Sequence, residues 1–265
     1  MRVILLTRPS TLQGKAIAEV FARAGLPLEA ALIEPKSLGE RRKRLLAVYR
    51  QNGLISTFRK VGRIMLEDHL PGLLRRSSRE EPETVEAVCR RYGVRVQMVS
   101  DHNAPECEEI LRTAGPDVIL LAGTRIIKAH ILKVPHVGTI NAHTGWLPNY
   151  RGRNANLWAF LEGGPTGITT HFVDPGVDTG AILIREPFPI GPGDTIQGLE
   201  LRAARHCAEL MLRTVRGLEA GTITPTPQRK EDGRQFPALS VAREDELRRR
   251  LAIPLKAGAN VTTTR

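Results

Sequence analysis

The sequence predicts an α/β chain: a Rossmann-like, mostly parallel twisted sheet with helices on both faces and a short C-terminal extension. Three observations carry this. The chain opens strand–helix–strand before Pro35. Its strand candidates are short continuous apolar runs such as residues 117–122 (DVILLA), the pattern of strands covered on both faces. Its 265 residues, 41% apolar and 25% charged, suit one large domain that needs no disulfide staple.

Residues 2–7 (RVILLT) read as the first buried strand, turned at Pro9 and Ser10. A helix is expected over residues 11–23, ending at Gly25, then a second strand over 29–34 (EAALIE), closed by Pro35. Two strands joined by a helix imply parallel pairing. The first loop lacks GxGxxG, so a dinucleotide fingerprint is absent. Residues 39–80 read as an inserted basic helical segment broken near Gly53 and Pro71. In it Ile55, Phe58, Val61, Ile64 and Met65 form one apolar stripe. A helix follows over 83–92 and a strand over 95–100. Asn103 is expected to cap the next helix, with Glu106 completing a capping box. Strands are expected over 117–122, 139–143, 167–173 and 181–186. Residues 194–219 make a long helix with Leu199, Ala203, His206, Leu210 and Val215 inward, packed on the sheet or forming a homodimer face. After Gly221 the chain turns Pro-, Thr- and Arg-rich, with one short helix over 243–251 and a tail from Pro254. The organisation is therefore a domain over residues 1–220 and an extension over 221–265.

Cys89, Cys107 and Cys207 form no CxxC pair and read as reduced thiols of a cytoplasmic protein. The N-terminal apolar run stops at Thr7, too short for a signal or a membrane span. The histidines are scattered: His130 and His136 have no cysteine or carboxylate cluster beside them, and His102 reads as a surface turn residue. No metal site is expected. Net charge is +11, from 39 Lys and Arg against 28 Asp and Glu. Eight of the basic residues fall between Arg41 and Arg63 with no acid among them, so the excess is local. It reads either as a solvated helix face or as a site for an anionic partner. No aromatic-rich strand of the base-stacking kind accompanies it, which places nucleic acid behind a small anionic molecule or a lipid surface.

The densest polar signal lies in residues 138–180. Asn141 and His143 stand two apart at a strand end and so point to one face. Asp178 follows another strand in the Gly-bounded loop VDPGVDTG. A carboxamide, an imidazole and a carboxylate at strand ends suit acyl transfer. The first can donate to a developing oxyanion, the second can carry a proton, and the third can orient the imidazole and stabilise its charged form.

The order Asn141-Ala142-His143, Leu147-Pro148-Asn149-Tyr150-Arg151-Gly152, Trp158-Ala159, His171-Phe172-Val173-Asp174 and Asp178-Thr179-Gly180 resembles the 10-formyltetrahydrofolate-dependent formyltransferase family. The resemblance is strongest over residues 115–225. It implies the formyltransferase fold for residues 1–220 and an N-formyltransferase taking its formyl group from 10-formyltetrahydrofolate. It makes Asn141, His143 and Asp178 the catalytic trio: Asn141 to hold the formyl oxygen as the tetrahedral intermediate forms, His143 to shuttle a proton, and Asp178 to pair with His143. It implies a pterin site at Gly123, Thr124, Arg125, Ile126 and Ile127 and at Val173, Asp174 and Gly176. Acceptor contacts are expected from Ser10 and Thr11 at a helix N-terminus, and from Trp146, Tyr150 and Arg151, although Arg151 reads better as a loop lock. Gly145-Trp146 and Arg153-Asn154-Ala155-Asn156 depart from the family pattern on the acceptor side. By elimination the acceptor is a nucleotide-linked amino sugar. The alternatives are methionyl-tRNA or another small amine, water in a formyltetrahydrofolate hydrolase, and a non-enzymatic RNA- or lipid-binding protein.

Overall fold

The computed structural model describes residues 1–26, 28–35, 39 and 83–252. Apart from Gly39, the basic segment expected over 39–80 lies outside the described residues, as does the tail from Pro254. The strands are β1 (Val3–Thr7), β2 (Ala30–Ile33), β3 (Arg95–Met98), β4 (Val118–Ala122), β5 (Gly138–His143), β6 (Tyr150–Gly152), β7 (Gly167–Phe172), β8 (Ile182–Pro187) and β9 (Arg234–Phe236). Seven of them form one sheet in the order β3-β2-β1-β4-β5-β7-β8. The first five are parallel, and β7 and β8 join antiparallel. β6 and β9 pair parallel in a separate ribbon that the apolar pattern does not announce.

The helices are α1 (Leu12–Arg23), α2 (Val85–Arg91), α3 (Pro105–Ala114), α4 (Ala129–Leu132), α5 (Ala155–Glu162), α6 (Ile196–Glu219) and α7 (Val241–Leu251). Alternation along β1 sorts them into two layers. Val3 and Leu5 join one cluster with residues of α1, α2 and α6, while Ile4 and Leu6 join Cys107, Leu111 and Ile131 of α3 and α4 on the other face. Both faces are thus covered, which is why the runs read as unbroken apolar stretches. Threonines cap three helices: Thr11, Thr84 and Thr195 accept from Gly14, Ala87 and Gly198 backbone N–H groups at 3.3, 3.1 and 3.0 Å. The three cysteines are free and buried. Among the described residues no helix is long and apolar enough to cross a membrane.

Two expectations are corrected here. Asn103 does not cap α3: Pro105 occupies the first helical turn, so the cap falls on Ala104, which offers no side-chain hydrogen bond, and no capping box with Glu106 forms. The Asn103 carboxamide bridges the next loop instead, donating to the Ile126 carbonyl at 3.0 Å and accepting from Lys128 N–H at 2.7 Å. His206 is not inward like Leu199, Ala203, Leu210 and Val215. It stands half-buried at the edge of α6 with Nε2 3.0 Å from Glu186 Oε2, because an imidazole finds a charged partner there and none in the apolar core.

Ile140 is fully buried in β5, between the β4 and β7 pairings, directly before Asn141. Ile140→Ala is expected to cost about 2–5 kcal/mol of unfolding free energy. Urea denaturation of the two proteins checks this, and a loss below the Ile→Val range would place the core elsewhere.

Candidate functional site

The site grows from the carboxyl end of β5. Asn141 and His143 share one face, and the antiparallel register sets Asn141 opposite His171 on β7. His143 is buried, with 6% of its surface exposed, and both ring nitrogens face oxygens. Nε2 lies 2.8 Å from the Tyr150 carbonyl, and Nδ1 lies 3.4 Å from Asp178 Oδ2. The carbonyl can only accept, so in the neutral ring the proton sits on Nε2 and Nδ1 is the basic nitrogen. Burial lowers the His143 pKa, against the opposing charge of Asp178.

Asp178 stands between two imidazoles. Its Oδ1 lies 3.5 Å from His171 Nε2, and its Oδ2 accepts the Gly152 N–H at 2.8 Å. Burial pushes its carboxyl up, but the His171 hydrogen bond, the charges of His143 and His171 and the Gly152 amide outweigh this and bring it to about 2. Asp178 holds φ of 54°, a left-handed conformation unusual for a residue with a side chain. His171 Nδ1 lies 2.7 Å from the Phe172 carbonyl, and its Nε2 lies 3.3 Å from Asn141 Nδ2. His171 Nε2 thus stands within reach of both the Asn141 carboxamide and the Asp178 carboxylate.

Two cavities meet at this point. One, of about 350 Å³, is lined by all three trio residues, by His171, by Gly123, Thr124, Arg125, Ile126 and Ile127, and by Val173, Asp174 and Gly176. The other, of about 340 Å³, is lined mainly by Leu157, Phe188, Ile190, Leu199, Ala203 and Cys207, with Thr11, Asn156 and Glu200 among its polar residues. Gln13, Gly123 and Thr144 line both.

A buried carboxylate anchors the loop over residues 123–127. Glu34 is fully buried and accepts the His102 N–H at 2.9 Å, while His102 Nδ1 lies 3.0 Å from its Oε2. Arg125 Nη2 pairs with Glu34 Oε1, and Arg125 Nη1 lies 3.0 Å from Asp101 Oδ2. His102 is therefore not a surface turn residue: it is fully buried, its Nε2 3.1 Å from the Leu32 carbonyl. Burial lowers its pKa.

The acceptor-side candidates divide. Thr11 lines the apolar cavity, though its hydroxyl caps α1. Ser10 is exposed and lines neither cavity. Trp146 packs on Gly167 under the Arg185 guanidinium, 4.3 Å from the ring centroid. The Tyr150 ring stacks on Phe236 at 5.1 Å, and only its carbonyl serves the site. Arg151 is buried and locks its loop, donating to Gln228 Oε1 at 3.1 Å and the Arg229 carbonyl at 2.8 Å. Two participants escape the sequence reading. His171 stands inside the quoted motif, and strand alternation opposite Asn141 is the signal that finds it. Gln228 lies beyond the motif and carries no local signal.

A sequence model of the formyl transferase family matches residues 63–215. The methionyl-tRNA formyltransferase of Trichlorobacter lovleyi is 34% identical over 155 residues, covering 58% of this chain and 49% of that one. That of Synechococcus sp. (strain JA-3-3Ab) is 35% identical over 195 residues, covering 72% and 58%. The chain spans about half the length of the curated relatives it matches. Glycinamide ribonucleotide transformylase 1 from Symbiobacterium toebii shares the fold, with a TM-score of 0.59 at 18% identity, over 86% of this chain and 95% of that one.

A carboxyl lowered from 3.8 to about 2 stabilises the folded state fully above pH 4, and that contribution is lost as pH falls from about 4 to about 2. Asp178→Asn is expected to flatten this part of the acid limb. Urea midpoints followed across that range check it, and an acid limb unchanged by the substitution contradicts the pairing.

Proposed function

The chain belongs to the formyl transferase family, and we propose that it moves a formyl group from 10-formyltetrahydrofolate to a primary amine. One observation carries the reading: His143 lines the cavity with Nε2 committed to the Tyr150 carbonyl and Nδ1 beside the Asp178 carboxylate.

The formyl donor suits the polar cavity. Its pterin edge alternates hydrogen-bond donors and acceptors, and two loops, residues 123–127 and 173–176, wall the cavity with Ile127 as a buried apolar face. Those loops would hold the ring, and the donor supplies an activated formyl carbon. An amine attacks only uncharged. His143 Nδ1 takes its proton as the amine nitrogen bonds the formyl carbon, and Asp178 Oδ2, already facing Nδ1, steadies the imidazolium. The proton then passes to the donor nitrogen as its bond to the formyl carbon breaks and tetrahydrofolate leaves. Asn141 Nδ2 carries two hydrogens, and one of them serves the formyl oxygen as charge builds on it.

The apolar cavity is read as the seat of the acceptor. Among the described residues its lining holds no Lys or Arg, and apart from Glu200 it is mostly apolar, which supports a largely apolar group beside the amine. A nucleotide-linked amino sugar fits with its ring in this cavity and its diphosphate outside. A second reading, methionyl-tRNA, is favoured by the 34% and 35% identity with the methionyl-tRNA formyltransferases, and a thioether arm suits the same lining. The free, buried thiols support a reducing, cytoplasmic setting.

The test is tetrahydrofolate release from 10-formyltetrahydrofolate, alone and with nucleotide-linked amino sugars, glycinamide ribonucleotide and charged methionyl-tRNA. Release is expected with one amine only. His143→Ala and Asn141→Ala are each expected to lower turnover by about 10²-fold or more with the urea midpoint kept. Release without any amine makes water the acceptor. Silence throughout, with no thermal shift on adding folate, overturns the reading.

A further inference from the structure

The two oxygens that face His143 come from different segments, the Tyr150 carbonyl in β6 and the Asp178 carboxylate in the loop after β7. One side chain of the C-terminal extension ties those segments together. Gln228 Nε2 donates to the Gly180 carbonyl at 2.6 Å and lies 3.3 Å from the Asp178 carbonyl. Its Oε1 accepts from Arg151 Nη2 at 3.1 Å, and Arg151 directly follows Tyr150. A carboxamide offers a donor and an acceptor at its two separate tips.

The chain on either side of Gln228 is itself pinned. Thr226 exchanges backbone hydrogen bonds with Ile182, both at 2.8 Å. Arg234 N–H reaches the Asn149 carbonyl at 3.2 Å, β9 pairs with β6, and Gly233 packs so closely on the Pro148 carbonyl that a Cβ has no room there. Phe236 stacks on Tyr150 and lies 5.5 Å from the Trp158 ring. The strap is thus anchored at both ends, with the carboxamide in the middle.

We propose that Gln228 is a positioning residue for the reaction assigned above, holding the Asp178 loop and the Tyr150–Arg151 segment in register so that His143 keeps both of its oxygens. A left-handed aspartate is held against its ordinary preference and persists only where its surroundings over-determine it. Asp178 has φ of 54°, and the Gln228 donor and the Gly152 N–H are its two clamps, one on the backbone and one on the carboxylate. Without the first clamp the loop relaxes, and the carboxylate leaves its 3.4 Å approach to Nδ1.

This inference rests on the formyl-transfer reading, so its test has one arm that needs no turnover. Gln228→Met keeps length and neutrality but neither hydrogen-bonding group. Gln228→Glu keeps the acceptor toward Arg151 and removes the donor. Both are expected to lower kcat about tenfold or more, a part of the 10²–10⁴ that a positioned base supplies. The KM for 10-formyltetrahydrofolate and the thermal midpoint should stay near those of the unaltered protein.

Independently of turnover, the His143 ring is titrated by NMR in the Gln228→Met protein. Among the described residues the titratable groups facing His143 are Asp178 and His171. Asp178 raises the His143 pKa, so a displaced carboxylate moves the titration to lower pH. A kcat kept by Gln228→Glu overturns the proposal. So does an unmoved His143 titration in Gln228→Met, and so does a loss of kcat accompanied by equal losses in KM and thermal midpoint. If the unaltered protein transfers no formyl group but the titration still moves, the positioning role stands and the reaction reading alone fails.

Discussion

A buried imidazole between two oxygens is the constraint on which the rest of this structure turns. Removing His143 from water disfavours its charged form, yet a base must become charged for an instant. The Tyr150 carbonyl and the Asp178 carboxylate resolve this from opposite sides of the ring. Neither is local to His143. Tyr150 comes from a three-residue strand paired with β9, and Asp178 from a loop in which it holds a left-handed conformation. The geometry of one ring thereby requires the sheet, the β6–β9 ribbon and the C-terminal strap to be in place together.

The sheet supplies the floor for that arrangement. β1 lies between β2 and β4, so the loops leaving its carboxyl end and that of β4 diverge and open a crevice. Thr11, Leu12 and Gln13 from the first loop and helix and Gly123 from the second line the apolar cavity in that crevice. Glu34 at the end of β2 fixes the second loop through Arg125. A fully buried carboxylate destabilises unless its lone pairs are filled. Here Oε2 accepts the His102 N–H, and the guanidiniums of Arg125 and of Arg8, the latter at 3.6 Å, bring opposing charge to Oε1. The anchor and the loop are consequently stiff together.

Much of this was legible in the residues. The apolar runs located β1, β2, β4 and β5, since strands covered on both faces must be apolar throughout. That Asn141 and His143 share a strand face follows from their spacing, while Asp178 was joined to them by the family resemblance, and the structure brings the three side chains to one cavity. What escaped depends on partners far along the chain. β6 and β9 are three residues each, too short for any periodicity. His102 reads as polar and hence exposed until Glu34, 68 residues earlier, is seen to need a donor. Asn103 looks like a helix cap until Pro105 claims the first turn and leaves its carboxamide for Ile126 and Lys128. Gln228 has meaning only opposite Arg151 and Gly180, which no window of sequence contains.

The wall between the two cavities bears on the acceptor more directly than net charge does. Gln13, Gly123 and Thr144 line both spaces, so groups seated in each would meet across these three residues, with Asn141 and His143 on the polar side. Gly123 has φ of +65°, and a Cβ there would press on the Thr11 methyl, so a side chain at this position would narrow the passage where the two reactants approach. Gln13 is fixed by its own bond to the Ala142 carbonyl at 3.1 Å, one residue from both Asn141 and His143. On the reading proposed above, the apolar lining selects what sits next to the amine, so an acceptor of any net charge must present an uncharged arm to Leu157, Phe188 and Leu199.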